Sequence, residues 1–517
     1  MLLYLLFLSF IHFASLKSIW DDINLPPEHM PYFFNNNLHL VSLCEKNRNC
    51  PYKKYLNKKN CWGYEKNCSL SYRYSDPICD GEAKGWVTSK KDQIHTFYTQ
   101  GDFGYIKERK NELITLCLPE HPDDSLLECS KYTRFCRARN IIFHFKSLEK
   151  LPEPIRYRDD VVQKGEVGGH CKLNKMQLKK EGEHKSPLQS WFAELEHFTE
   201  LPYRPIQDKK CDTVFTKPTF IMKLDAPVNM YHHFCDFLNL YASLHLNNSF
   251  TTDVFILIWD TILYRSNFEI TWKAFTKHPL LNLEQFKGKR VCFKDVVFPL
   301  LPRMIFGMYY NMPLIPGCYK SGLFHAFSKH VLHKLNIKQD EYSGKKIRIT
   351  LLSRATAYRQ ILNENELITA LKKNPNLIVR KESYTRHTPF IQQLQISHNT
   401  DILIGIHGAG LTHMLFQPDW AVVFEIYHCD DKNCYLDLAR LRGLKYITWE
   451  KMKLLYPEDE GHHPTLGAHA KFTNYAFDVE EFLRLVNVAV DHVRNHESYK
   501  LIQKQPNPSN NYMHNEL

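Results

Sequence analysis

The sequence predicts an α/β protein, with two units of parallel sheet preceded by a disulfide-rich N-terminal region. Three observations support this. From residue 212 onward, apolar strand-like runs alternate with amphipathic helical runs, the pattern of parallel strands joined by crossover helices. The cysteines crowd between Cys44 and Cys171. The run ILIGIHGAGLTHMLF, residues 402–416, reads as a buried strand, a glycine-bearing turn and a helix.

Residues 1–18, MLLYLLFLSFIHFASLKS, have an apolar core from Leu2 to Phe13. That is short of the roughly 20 residues a spanning helix needs, so the segment reads as a cleavable signal peptide, although no lysine or arginine precedes the core. Residues 19–157 read as an irregular, disulfide-supported region with short strands such as Ile141 to Phe145. Residues 158–211, with RDDVVQKGEVGGH and KKEGEHK, read as a linker carrying one amphipathic helix near Trp191 to Phe198. The first α/β unit, 212–340, runs VFTKPTFIMKL (strand), NMYHHFCDFLNLYASLHLNN (helix), DVFILIWD (strand), TWKAFT (helical turn), RVCFKDVVFPLLP (strands) and GLFHAFSKHVLHKLNI (helix). The second, 341–500, runs KKIRITLLSR, NENELITALKKN, NLIVRKE, FIQQLQISHNT, DILIGIHGAG, WAVVFEIY and LKYITWE. Residues 501–517 form a polar tail. Two such units side by side converge their strand carboxyl ends on a cleft, where ligands of open α/β sheets bind.

Composition narrows the function. The net charge is +11, but lysine and arginine are scattered rather than gathered with aromatics into a stripe, so nucleic acid is not an expected partner. No later segment is apolar enough to span a membrane. HExxH, nucleophile-elbow and P-loop motifs are absent, which sets aside proteolysis, serine hydrolysis and ATP-dependent chemistry. The spacing Cys44/Cys50/Cys61/Cys68 lacks the tight pairs of a zinc site and favours structural disulfides, and the odd total of 15 leaves at least one thiol over. Acceptor tripeptides at Asn67 and Asn247 suit a secretory lumen. The chain ends His514-Asn515-Glu516-Leu517, similar to the retrieval signal read by the KDEL-type receptor, with Asn for the usual Asp. The endoplasmic reticulum lumen is the expected location.

Site residues follow from position. His407, Gly408 and Gly410 lie in the turn after a buried strand, where free backbone N–H groups, a helix dipole and small residues suit a diphosphate. His413, one turn on, either approaches that ligand or packs beneath it. Arg354 ends the strand IRITLLS and Arg359 follows, both placed to pair with phosphate. Glu425 ends AVVFE, where a carboxylate accepts ribose hydroxyls. In the helix opening NMYHHFCDF, Asn229, His232 and Asp236 share one face, and an aspartate one turn from a histidine raises its basicity, as a general base needs. His233 points elsewhere.

NMYHHFCD, SRATAYR and GIHGAGLTHMLFQPDWAVVFEIY together resemble glycosyltransferase family 61, and the cysteine-rich start and GHHPTLGAHAKFTNY extend the likeness over nearly the whole chain. The resemblance implies a GT-B fold of two Rossmann-like domains, the first carrying the acceptor side and catalytic base, the second the UDP-sugar. It also implies inverting transfer of GlcNAc from UDP-GlcNAc to Ser or Thr of folded EGF-like repeats. The alternatives are a relative with another donor or acceptor, such as GlcNAc transfer to O-mannose glycans or xylosyl transfer, and a catalytically silent lumenal glycoprotein binder. The family's vertebrate members carry Asp-Tyr-Asp where this chain has Lys277-His278-Pro279. No cofactor is therefore expected to be obligatory, and a divalent metal such as Mn2+, for which no site is assigned, is not expected to be essential.

Overall fold

A computed structural model describes residues 19–504 except 57–58, 83–86, 154–157, 185–188, 305–306, 310–311, 313–314 and 341–345. The signal-peptide and retrieval-signal readings lie outside the described residues.

Among the described residues the first unit is built on an 11-stranded sheet. Its parallel part comprises β1 (Thr219–Met222), β2 (Phe255–Ile258), β3 (Leu281–Asn282) and β4 (Arg290–Phe298), in the order β3-β2-β1-β4, with the short strand Thr213–Phe215 also parallel to β4. The chain steps outward from β1 to β3 and then returns to the other side of β1, so the strand order reverses between β1 and β4. Helix α1 (Met230–Asn247) follows β1. The Asn229 side chain caps it by accepting from the Tyr231 N–H, and Asn248, at φ +48°, ends it in the left-handed conformation. Phe234, Phe237, Leu240 and Tyr241 bury α1 almost all round, which makes it a core helix.

The cysteine-rich region is less separate than the sequence implies. Its strand Cys136–His144 pairs antiparallel with β4, and the sheet continues through Leu126–Cys129, Ile114–Leu118 and Lys172–Leu173. The stretch read as a linker also contributes Val167–Gly169 and Phe198–Glu200. Its Trp191 is fully buried and donates its indole N–H to the Pro299 carbonyl at 2.7 Å, while the helix beside it is only Phe192–Leu195. One hydrophobic core runs from Trp20 to Leu444, so the boundaries near 157 and 211 divide no cores. Local periodicity cannot show this, because β4 lies about 150 residues beyond its antiparallel partner. Six disulfides form: Cys44–Cys50, Cys61–Cys68, Cys79–Cys318, Cys117–Cys171, Cys129–Cys136 and Cys211–Cys292. Cys235, Cys429 and Cys434 remain thiols. Asn67 is exposed and Asn247 half-buried.

The second sheet is wholly parallel: β5 (Ile347–Leu352), β6 (Leu377–Glu382), β7 (Ile402–Gly405), β8 (Val422–Glu425) and β9 (Lys445–Thr448), in the order β6-β5-β7-β8-β9. Here the order reverses between β5 and β7. Both β7 and β8 are buried on both faces, which is why they read as unbroken apolar runs. After the glycine turn, Ala409–Phe416 winds as a 3₁₀ helix, where the sequence implies an α-helix. It is enclosed by α1, by helices Gly322–Lys334 and Phe390–His398, and by α2 (Cys434–Arg442), so it is buried from Leu411 to Phe416 and mostly apolar. A short 3₁₀ segment carries a smaller dipole than the α-helix the sequence implies. Among the described residues no helix is long and apolar enough to cross a membrane.

Buried histidines make stability pH-dependent. Desolvation holds His233 and His330 down to about 3, and His398 and His413 down to about 4. Unfolded, each takes up a proton near about pH 6.5, so between there and about pH 4 the unfolded chain binds more protons and stability falls as pH falls. Each group contributes up to about 1.4 kcal/mol per pH unit in that window. The urea midpoint should drop between about pH 7 and about pH 5; an unchanged midpoint would contradict neutral burial.

Candidate functional site

Both strand-order reversals open onto one cleft of about 710 Å³. At such a reversal the connections leave two neighbouring strands in opposite directions, so their carboxyl ends stay uncovered.

On the first sheet's side, Asp225 follows β1 and Arg303 follows β4. The buried Asp225 Oδ2 lies 2.7 Å from His232 Nδ1 and accepts from Arg303 Nε at 2.8 Å. Arg303 Nη2 lies 3.1 Å from the same imidazole nitrogen. In the shorter contact Nδ1–H donates to the carboxylate, the tautomer in which Nε2 carries the lone pair. His232 and Asn229 line the cleft. Asp236 does not orient His232, contrary to the sequence reading. Its Oδ2 lies 2.9 Å from His233 Nδ1, and its Oδ1 accepts the Asp225 backbone N–H at 3.1 Å. Sharing a helical face placed 232 and 236 together, but the loop after β1 comes closer to His232. Asp236 thus holds the segment that carries Asp225. The buried His233, braced by the Tyr264 hydroxyl at 2.8 Å from Nε2, completes that support.

On the second sheet's side, Arg354 follows β5 and the glycine turn follows β7. The Nη1 groups of Arg354 and Arg359 both donate to the His407 carbonyl, at 3.4 and 3.1 Å. Neither guanidinium forms an ion pair with a carboxylate among the described residues. Burial, together with Arg359 alongside, brings Arg354 down to about 10. Arg359 adopts φ +62°, and its Nε is buried without a partner. Two adjacent guanidiniums with donors to spare suit a diphosphate. Gly408 and Gly410 line the same wall, and a Cβ on Gly408 would meet Arg354 Nη1 at 2.1 Å.

Two expected donor contacts take other roles. Glu425 is fully buried, with one oxygen 2.8 Å from His407 Nδ1 and the other accepting from the Tyr446 hydroxyl, so it orients His407 and has no place for ribose. His413 lies beneath the turn, its nitrogens 2.8 Å from the Gly410 carbonyl and 3.0 Å from Gln393 Oε1, its ring on Tyr384. Held at about 4 by burial, it supplies no positive charge.

The cleft also contains residues the sequence reading missed: Tyr231, Ser383 to Thr385, Asp431, Cys434, Tyr435 and Lys471. Asp431 Oδ2 pairs with Lys471 Nζ at 2.8 Å and lies 3.7 Å from His407 Nε2. Ser383, Asp225 and Arg303 were findable, since each lies within five residues of a parallel strand's end. Nothing local marks Lys471.

Lys277 and His278 line no part of this cleft. With Lys217 they surround Asp253, at 3.2, 2.7 and 2.6 Å respectively, and hold its carboxyl well below the usual range. Asp253 precedes β2, at the amino ends of the strands. Among the described residues the one cluster with metal-ligand spacing is Cys61, Glu65 and Cys68, and its cysteines are joined in a disulfide.

Across this cleft a carboxylate-held histidine faces two guanidiniums and a glycine turn, an arrangement whose chemistry suits nucleotide-dependent group transfer. Comparison with known proteins agrees. The profile of the family described as Glycosyltransferase 61 matches residues 230–424. The EGF domain-specific O-linked N-acetylglucosamine transferase of Canis lupus familiaris is 54% identical over 490 residues, covering 94% of this chain and 93% of that protein. The enzymes of the same name from Gallus gallus and Drosophila melanogaster are 54% and 53% identical, over 92% of this chain and 91% and 92% of theirs. The chain belongs to glycosyltransferase family 61.

Gly408→Ala should push the Arg354 guanidinium aside and weaken UDP binding about tenfold, about 1.4 kcal/mol, with folding retained. Titration calorimetry checks this; unchanged affinity would remove Arg354 from the diphosphate site.

Proposed function

We propose that this protein is an inverting transferase that moves GlcNAc from UDP-GlcNAc to Ser or Thr hydroxyls of folded EGF-like domains. One observation supports the reading most: His232, oriented by Asp225, and the Arg354/Arg359/Gly408 wall face each other across a single cleft. The activity for which relatives matching over nine-tenths of the chain are named supplies the sugar and the acceptor class. The two strand orders support a GT-B arrangement of two Rossmann-like domains, and the six disulfides support a lumenal location, which the terminal HNEL refines to the endoplasmic reticulum through a KDEL-type receptor.

In this mechanism His232 Nε2 takes the proton of the acceptor hydroxyl as its oxygen attacks the anomeric carbon from the face opposite UDP. The C1–O bond to the β-phosphate breaks, and the departing diphosphate keeps the electron pair. Arg354, Arg359 and the turn's N–H groups stabilise the charge that develops there. Asp225 stabilises the imidazolium that forms.

His232→Ala should abolish transfer to a folded EGF repeat, by at least about a hundredfold, and leave UDP affinity nearly intact. Intact-mass assay and calorimetry read the two quantities, and full activity of the variant would sink the assignment. The cleft's cationic wall takes the role a metal ion often serves, so transfer should persist in EDTA. Loss of activity on chelation, restored by Mn2+, would require a metal site that the present reading does not include.

A further inference from the structure

Donor choice depends on what lies between the base and the diphosphate wall. In an inverting displacement the sugar must bridge the two, with its anomeric carbon presented to the base and its leaving oxygen to the cations. A run of rings crosses the cleft along that path. His232 lies 5.8 Å from Tyr231 between centroids, Tyr231 5.7 Å from Tyr435, and Tyr435 5.1 Å from His407. Tyr435 and Tyr309 are buried, and Tyr309 backs Tyr231 at 5.0 Å. Of these rings, His232 and Tyr231 line the cleft and keep partial exposure, and the half-buried Cys434, which lines it too, touches the Tyr231 side chain.

We propose that Tyr231 is the stacking platform for the donor's N-acetylhexosamine ring and that Cys434 is the wall limiting the space beside it. The proposal rests on the donor-cleft reading above. Three features support it. A half-buried tyrosine backed by two buried tyrosines is a rigid, pre-ordered apolar face, the kind of surface on which a pyranose presents its C–H groups. Tyr231 is the residue before His232, so the first turn of α1 fixes platform and base in one frame. Cys434 stands near the start of α2, beside Asp431, so the second unit closes the far side of the same space.

The test uses the full-length lumenal protein and measures UDP-GlcNAc turnover and UDP affinity separately. Tyr231→Ala should lower kcat/KM for UDP-GlcNAc at least about thirtyfold, with UDP affinity within about threefold, and Tyr231→Phe should restore it to within about threefold. Cys434→Phe, which leaves Tyr231 in place, should cut UDP-GlcNAc turnover at least about tenfold while UDP still binds. Near-normal kcat/KM in Tyr231→Ala, or a matching loss of UDP affinity, overturns the platform. Failure of the underlying reading has a different signature: Arg354→Ala would then leave UDP affinity unchanged.

Discussion

The reversal of strand order in each sheet is the constraint on which the rest of this structure depends. Where connections leave adjacent parallel strands in opposite directions, no helix covers the strand ends between them, and polar groups placed there face solvent or ligand. In the first sheet those ends deliver Asp225 and Arg303, and in the second Arg354 and His407. Catalysis across a cleft needs both reversals on the same side of the molecule. The continuous core from Trp20 to Leu444 holds them there.

Buried charge gives the site its rigidity. Asp225 and Asp236 are both almost fully buried, a costly position for carboxylates unless each is well partnered. Asp236 takes the Asp225 backbone N–H and His233, and Asp225 takes His232 and Arg303. The chain of contacts fixes the imidazole's position and orientation. Glu425 does the same for His407 on the other wall, and its burial explains why a strand-end acid serves as a support rather than a ligand contact.

Much of the fold was legible. Helix α1, strands β1, β2 and β4 and the strands of the second sheet follow from apolar periodicity and turn residues, whereas the two-residue β3 does not, and the cysteine spacing pointed to disulfides. The antiparallel extension was not legible, because pairing between Cys136–His144 and β4 is a long-range event with no local mark. The site was legible in part. Strand-end position put Arg354, Arg359, His407, Gly408 and Gly410 on the cleft wall, and helical position put His232 opposite them. The partnerships were misread: His232 pairs with Asp225 rather than Asp236, and His413 lies under the turn.

Sequence alone determined the longer helices and the apolar strands of the α/β units, and which residue types stand at their ends, because those depend on patterns spanning at most a few turns of chain. Only the tertiary structure decided which carboxylate meets which histidine, which histidines lose their charge by burial, and which aromatic rings line the cleft. Those outcomes depend on distances between residues far apart in the chain, such as Asp225 with Arg303 and Tyr231 with Tyr435, and on the desolvation each group meets once the two sheets share one core.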